Sequence, residues 1–232
     1  MKKIEIRTWT EEIPSNGIAV VFDIFRCSTT LHCLANNQNV SSLWIAPSLK
    51  LLQEEQEEQE EQVKVEEFAV FSELRGEIRC KERYDNSPFS AQKYSSPHHA
   101  LVATTSGTPA MFSARNCREV FVGALVNFSA LVKYLQKQDL PIVLIPAAKP
   151  GVDHVEDMIV AEAIALALED SFVEERAKQA REKILASPRP KHLAEKISTG
   201  EKDCTIATKI DLFSKILKVE FSDSPYFAKV SS

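Results

Sequence analysis

Asp23 and Arg26 lie three residues apart in the stretch VVFDIFRCSTTL, Val20 to Leu31, and Ser28, Thr29 and Thr30 follow directly. An apolar run ending in a carboxylate, then a guanidinium, then hydroxyls opening an amphipathic segment reads as a buried strand leading into a helix N-terminus. Such a terminus presents unpaired N–H groups and a partial positive charge, so with Arg26 beside it the place suits a phosphate or another anion. A carboxylate there repels the same ligand unless a divalent cation lies between them or the Asp takes part in proton transfer. The structural alternative is that Asp23 caps the helix and Arg26 pairs with it.

Further polar groups fall just after apolar runs: Glu73 after FAVFS, Thr104 and Thr105 after the His99 run, Asn127 after EVFVG, and Glu156 with Asp157 after IVLIP. The loop TTSGT, Thr104 to Thr108, resembles an anion cradle in which Gly107 lets backbone N–H groups turn toward a ligand. Several phosphate chemistries are excluded or disfavoured. The TTSGT loop lacks the lysine and spacing of a P-loop, and no GxGxxG fingerprint occurs. None of the five cysteines has an arginine six residues on, as a cysteine phosphatase loop requires, and Phe25 stands where an aspartyl-phosphate D-x-D motif needs its second acid. There is no GxSxG elbow. His98 and His99 follow Pro97 at a strand entrance and read as structural.

The elements that must position these groups alternate. Strands are expected at Lys3–Trp9, Val20–Phe22, Ser42–Ala46, Phe68–Phe71, His99–Thr105, Val120–Gly123 and Ile142–Pro146. Helices are expected from Ser28 to about Asn36, from Pro47 through the Gln/Glu tract to Gln62, after Pro88, after Gly107, over Ser129–Gln136, and from Val155 to Ala186 with a break near Asp170. The segment LRGEIRCKERYDNSP reads as a long loop, and Pro188 and Pro190 as an interruption. Alternation from residue 18 to 170 means βαβ units, a largely parallel sheet and helices on both faces. Ligands then bind outside the carboxyl ends of the strands, where all of these polar groups converge.

The chain of 232 residues, 44% hydrophobic and 26% charged, fits one globular domain over 1–232. Its net charge of −5 gives no basic footprint for nucleic acid. No apolar run is long enough for a membrane span, and the N-terminal segment does not read as a secretory signal, so a cytoplasmic protein with reduced thiols is expected. The polar half of the Gln/Glu tract reads as a solvated helix end.

The combination of D-x-x-R-C-S-T-T, a later N-S-P, T-T-x-G-T and E-D opening a helix resembles the 2-phosphosulfolactate phosphatases, the ComB-like family, over roughly Ile4 to Glu220. The resemblance implies a three-layer α/β/α fold, self-association, and magnesium-dependent hydrolysis of a small anionic phosphate ester, 2-phosphosulfolactate, to sulfolactate and phosphate on the way to coenzyme M. It assigns Asp23, Arg26 and Glu73 to catalysis, and Ser28, Thr29, Thr30, Asn86, Ser87, Thr104, Thr105, Ser106, Gly107, Thr108 and Asn127 to the substrate. Asp23, Glu156 and Asp157 would hold magnesium, with Asp157 a stronger ligand than Glu156, for which Asp153 offers a capping-box alternative. The chain departs from the family pattern at Leu74, which stands for an arginine with Arg75 next door, and at Ser106, Val160–Glu162 and Thr199. A second reading is an anion-binding protein on the same scaffold that has lost turnover through these changes.

Overall fold

The computed structural model describes residues 3–58, 65–73, 77–96, 98–148 and 154–232. In chain order the elements are β1 Ile4–Ile6, β2 Ile18–Phe22, α1 Cys27–Ala35, β3 Val40–Ala46, α2 Leu49–Glu58, β4 Phe68–Ser72, β5 Glu82–Asp85, α3 Pro88–Lys93, β6 His98–Ala103 and α4 Gly107–Ser113. There follow β7 Glu119–Gly123, α5 Phe128–Gln136, β8 Ile142–Pro146, α6 Val155–Asp170, α7 Val173–Ala186, α8 Arg189–Lys196, α9 Gly200–Ala207, β9 Leu217–Phe221 and β10 Ala228–Ser231. The predicted break near Asp170 is a left-handed Ser171 at φ 63°, with Asp170 accepting from Phe172 N at 2.9 Å and from Arg176.

The ten strands among the described residues form one sheet in the order β1-β8-β2-β7-β9-β10-β3-β6-β4-β5. Two parallel blocks, β1-β8-β2-β7 and β3-β6-β4-β5, are joined by the antiparallel β9–β10 hairpin. The largely parallel α/β expectation therefore holds for each block. The hairpin between them was not foreseen, nor was β5, which pairs in parallel with β4 inside the expected long loop.

The inner strands β2, β4 and β8 are apolar almost throughout because both of their faces are buried. In β2, Ala19 and Val21 face one cluster with α1, α3 and α4, while Ile18, Val20 and Phe22 face another with α5, α6 and α7. In β4 and β6, Ala69, Phe71, Ala100 and Val102 face the same α1/α3/α4 cluster, and Val70 and Leu101 face a third cluster with Leu52 of α2. This is a three-layer α/β/α arrangement in which α1, α3 and α4 are shared by both blocks. Each fully buried Val, Leu or Phe contributes roughly 1.5–3 kcal/mol.

Sharing has a geometric cause. Three antiparallel steps reverse the nominal direction of the second block, yet neighbouring strands twist by ~20–25°, so five steps from β2 to β6 turn the sheet by about 100–125°. The twist brings the carboxyl ends of β2 and β6 back toward one another. The meeting point is tight: a Cβ on Gly107, just after β6, would stand 2.6 Å from Asp23 Oδ2, just after β2.

Candidate active site

A cavity of about 210 Å³ opens at that meeting point, lined by Asp23, Phe25, Arg26, Glu73, Asn86, Thr105, Ser106, His154, Arg189, His192, Leu193, Lys196 and Ile197. A larger cavity, about 860 Å³, lies between α2 and the 77–83 segment among surface charges such as Lys50, Glu54 and Arg79, away from the strand ends of the first block.

The Asp23 turn is built from its own chain. Asp23 Oδ1 accepts from Cys27 N at 3.3 Å, Ser28 Oγ accepts from Asp23 N at 2.9 Å, and Thr29 Oγ1 donates to Ile24 O at 3.0 Å. The carboxylate thus occupies the N-terminus of α1, as the capping alternative had it, and that terminus is not an open anion site. Asp157 reaches across from the first turn of α6, its Oδ1 accepting from Ile24 N at 2.7 Å. Both acids are buried. Burial first, then the charge of Glu73, lifts the Asp23 carboxyl to about 6, with Glu156 adding to the rise. Burial and the charge of Asp23 hold Asp157 well above the usual carboxylate range. Among the described residues, Asp23 Oδ2 and Asp157 Oδ2 have no hydrogen-bond donor.

Arg26 does not pair with Asp23. Its Nη2 donates to Asp85 Oδ1 at 3.0 Å, and its Nη1 donates to Asp85 Oδ2 and, at 3.1 Å, to Asp203 Oδ2. Asp203, fully buried in α9, also accepts from Ser87 Oγ at 2.6 Å, Phe89 N at 3.1 Å and Thr199 Oγ1 at 2.7 Å. One carboxylate so ties the N-S-P turn, α9 and Arg26 together. Glu156, also buried, accepts from Arg189 Nε at 3.1 Å. Asp153, its expected capping partner, lies outside the described residues, as do Leu74 and Arg75.

Of the residues read from the sequence, Asp23, Arg26, Glu73, Asn86, Thr105 and Ser106 line the cavity. Glu73 accepts from Thr105 N at 3.2 Å, which joins the ends of β4 and β6. Asn86 lines the cavity, and its Oδ1 is buried with no protein partner. Ser28, Thr29 and Thr30 are fully buried in α1, and Asn127 is buried at the start of α5, with its Oδ1 accepting from Ala124 N at 3.0 Å. Ser87 caps α3, accepting from Ser90 N at 3.2 Å. Thr104 and Thr108 hydrogen-bond each other, Thr108 N donating to Thr104 Oγ1 at 3.0 Å. These side chains shape the turns and do not line the cavity; apart from Thr30, whose Oγ1 is buried with no partner, they find partners close at hand, as short hydroxyl and amide side chains do.

Gly107 serves close approach, not a left-handed turn: its φ lies outside that region, and an added Cβ would also stand 2.7 Å from Cys27 Cβ. Gly107→Ala is therefore expected to lose about 1–3 kcal/mol of stability, the range for overpacking, and to displace Asp23 with it. A thermal melt and a rate on the same preparation check this; a variant melting with its parent would show that α4 shifts freely.

Sequence reasoning missed Asp85, Asp203 and the wall formed by α8. Arg189, His192 and Lys196 recur at helical spacing beside apolar Leu193 and Ile197, and Pro190 sits in the first turn of α8, where proline is at home. That periodicity was the available signal. Among the described residues no three His, Cys, Asp or Glu side chains converge on a point where one ion would touch all of them, and no helix is long and apolar enough to cross a membrane. A family model described as 2-phosphosulpholactate phosphatase matches residues 6–220 of the chain. No curated protein matches it.

Proposed function

The chain belongs to the 2-phosphosulpholactate phosphatase family of phosphoric monoester hydrolases, and from that premise we propose that it hydrolyses 2-phosphosulfolactate or a closely related 2-phospho-hydroxy acid with magnesium bound at Asp23 and Asp157. The observation that carries this reading is the buried Asp23–Asp157 pair, two carboxyls that burial raises, Asp157 further raised by the charge of Asp23, each keeping an oxygen without a protein donor. Magnesium favours such hard oxygens, and it commonly takes one or two carboxylates, several waters and a substrate phosphate, not an all-protein cage. Two acids suffice for that pattern. Glu156, held by Arg189, belongs to the support of the pair.

When bound, magnesium would offset phosphoryl charge that the carboxylates alone would repel. The chain supplies the rest. Asp23, ionised at neutral pH, lines the cavity. Glu73 fixes the Thr105 backbone on the same strand side of the cavity, and Asn86 would donate its amide N–H to the bound ester. Arg26, locked by Asp85 and Asp203, stands at the cavity wall without freedom to follow the substrate.

Phosphate release from a panel of esters, with magnesium and with chelator, tests the proposal. Turnover of the 2-phospho acids that chelator abolishes is the expected result; magnesium-independent turnover would remove the metal from the reading, and no turnover would favour the anion-binding alternative. Asp157→Asn keeps an acceptor for Ile24 N, so the fold should persist while the magnesium concentration for half-maximal rate rises about tenfold or more, the scale of one lost charge-assisted contact. An unchanged magnesium requirement would take Asp157 out of the metal site.

A further inference from the structure

The two walls of the cavity carry opposite charge. Asp23 and Glu73 stand on the strand side, and Arg189, His192 and Lys196 on the α8 side. Two of the cationic groups at the cavity already have acids of their own, Arg26 with Asp85 and Asp203, and Arg189 with Glu156. His192 and Lys196 have no carboxylate partner among the described residues, and both are exposed at the mouth. They lie one helical turn apart, so their side chains emerge on one face.

The cavity, about 210 Å³, falls below the usual 300–1,000 Å³ of drug-sized pockets. A small ester whose phosphoryl group lies at Asp23 must therefore direct its far end toward α8. We propose that Lys196 and His192 form a subsite for a second acid group of the substrate, a sulfonate or carboxylate, and so select phosphate esters that carry one. This rests on the phosphatase reading above, and adds to it the residues that choose among esters.

The test compares 2-phospholactate with isopropyl phosphate, which has the same carbon skeleton without the acid. For Lys196→Gln and for the double variant with His192→Gln, kcat/KM on 2-phospholactate should fall about tenfold to hundredfold, the range of a charge-assisted hydrogen bond. The loss should appear mainly in KM, while isopropyl phosphate stays within about twofold by the same reasoning. Equal losses on both esters, or none on either, overturn the subsite. Both positions are exposed, and far-UV circular dichroism confirms that the variants fold. If the wild type hydrolyses neither ester, the phosphatase reading fails separately and calorimetry decides the subsite. Binding of 3-sulfolactate to the parent that weakens at least about tenfold in the double variant, with inorganic phosphate binding unchanged, supports it. Absent or unchanged 3-sulfolactate binding rejects it.

Discussion

Asp23→Asn is expected to give a protein that is almost inactive and yet more stable than its parent at neutral pH. The folded carboxyl titrates at about 6 against an ordinary 3.8, chiefly through burial and then through the charge of Glu73. A folded pKa raised above the unfolded one means that stability is fully present below pH 3.8 and is lost as pH rises through 6. A shift of that size costs about 3 kcal/mol at pH 7.5 in the absence of metal. Asparagine keeps the acceptor for Cys27 N and removes the charge. The variant should therefore gain about 2–3 kcal/mol at pH 7.5, roughly 4–12 °C in melting temperature for a chain of this size, and nothing near pH 3.5. His32 works in the other direction: buried, its imidazole titrates at about 4, so its contribution is present above 6.5 and lost as pH falls toward 4. Both proteins carry His32, and their difference isolates Asp23. Turnover should drop by about 10²–10⁴, the several kcal/mol that a bound metal ion contributes to stabilising transition-state charge, and magnesium should raise the melting temperature of the parent but not of the variant. A variant no more stable than its parent at pH 7.5 in chelator would mean that the carboxylate is already compensated inside the protein.

Such a trade of stability for function explains why part of the site could be read from sequence. A carboxylate directly after five fully buried strand residues contradicts its surroundings, and Asp23 stood out for that reason; β2, β7 and β8 were equally plain because both of their faces are buried. The hydroxyl-rich turns were read as ligand contacts for want of any sign that Ser28, Thr29, Thr104 and Thr108 would be satisfied by their neighbours. Strand β5 escaped because Glu82–Asp85 is a short, half-buried, polar strand at the sheet edge, without apolar alternation. The rule that ligands gather at strand carboxyl ends located Glu73 and Thr105, but it is silent about helices that cover those ends. The α8 wall therefore had to come from its own periodicity, and the β9–β10 hairpin, short and late in the chain, left the turning of the second block unforeseen.

Asp203 shows what no local pattern could have told, and its removal is expected to have the largest cost to the fold. Asp203→Ala leaves Ser87 Oγ, Phe89 N and Thr199 Oγ1 without their acceptor and Arg26 with Asp85 alone. Breaking a fully buried pair of this kind costs about 3–5 kcal/mol, enough to leave much of a marginally stable domain unfolded. Asp203→Asn is the informative variant, since an amide oxygen can still accept from Ser87 and Phe89 while the ion pair with Arg26 is lost. Its melting temperature should fall less than that of the alanine variant, and its kcat should fall about tenfold to hundredfold as the guanidinium loses one of two anchors. If Asp203 acts through Arg26, the loss must not add to that of Arg26→Lys, which forfeits the planar bidentate contact with Asp85. A double-mutant cycle on kcat should then show Asp203→Asn costing less than about twofold in the Arg26→Lys background. Fully additive losses would separate the two residues, leaving Asp203 a tie between α9 and the N-S-P turn and Arg26 anchored by Asp85 without its help.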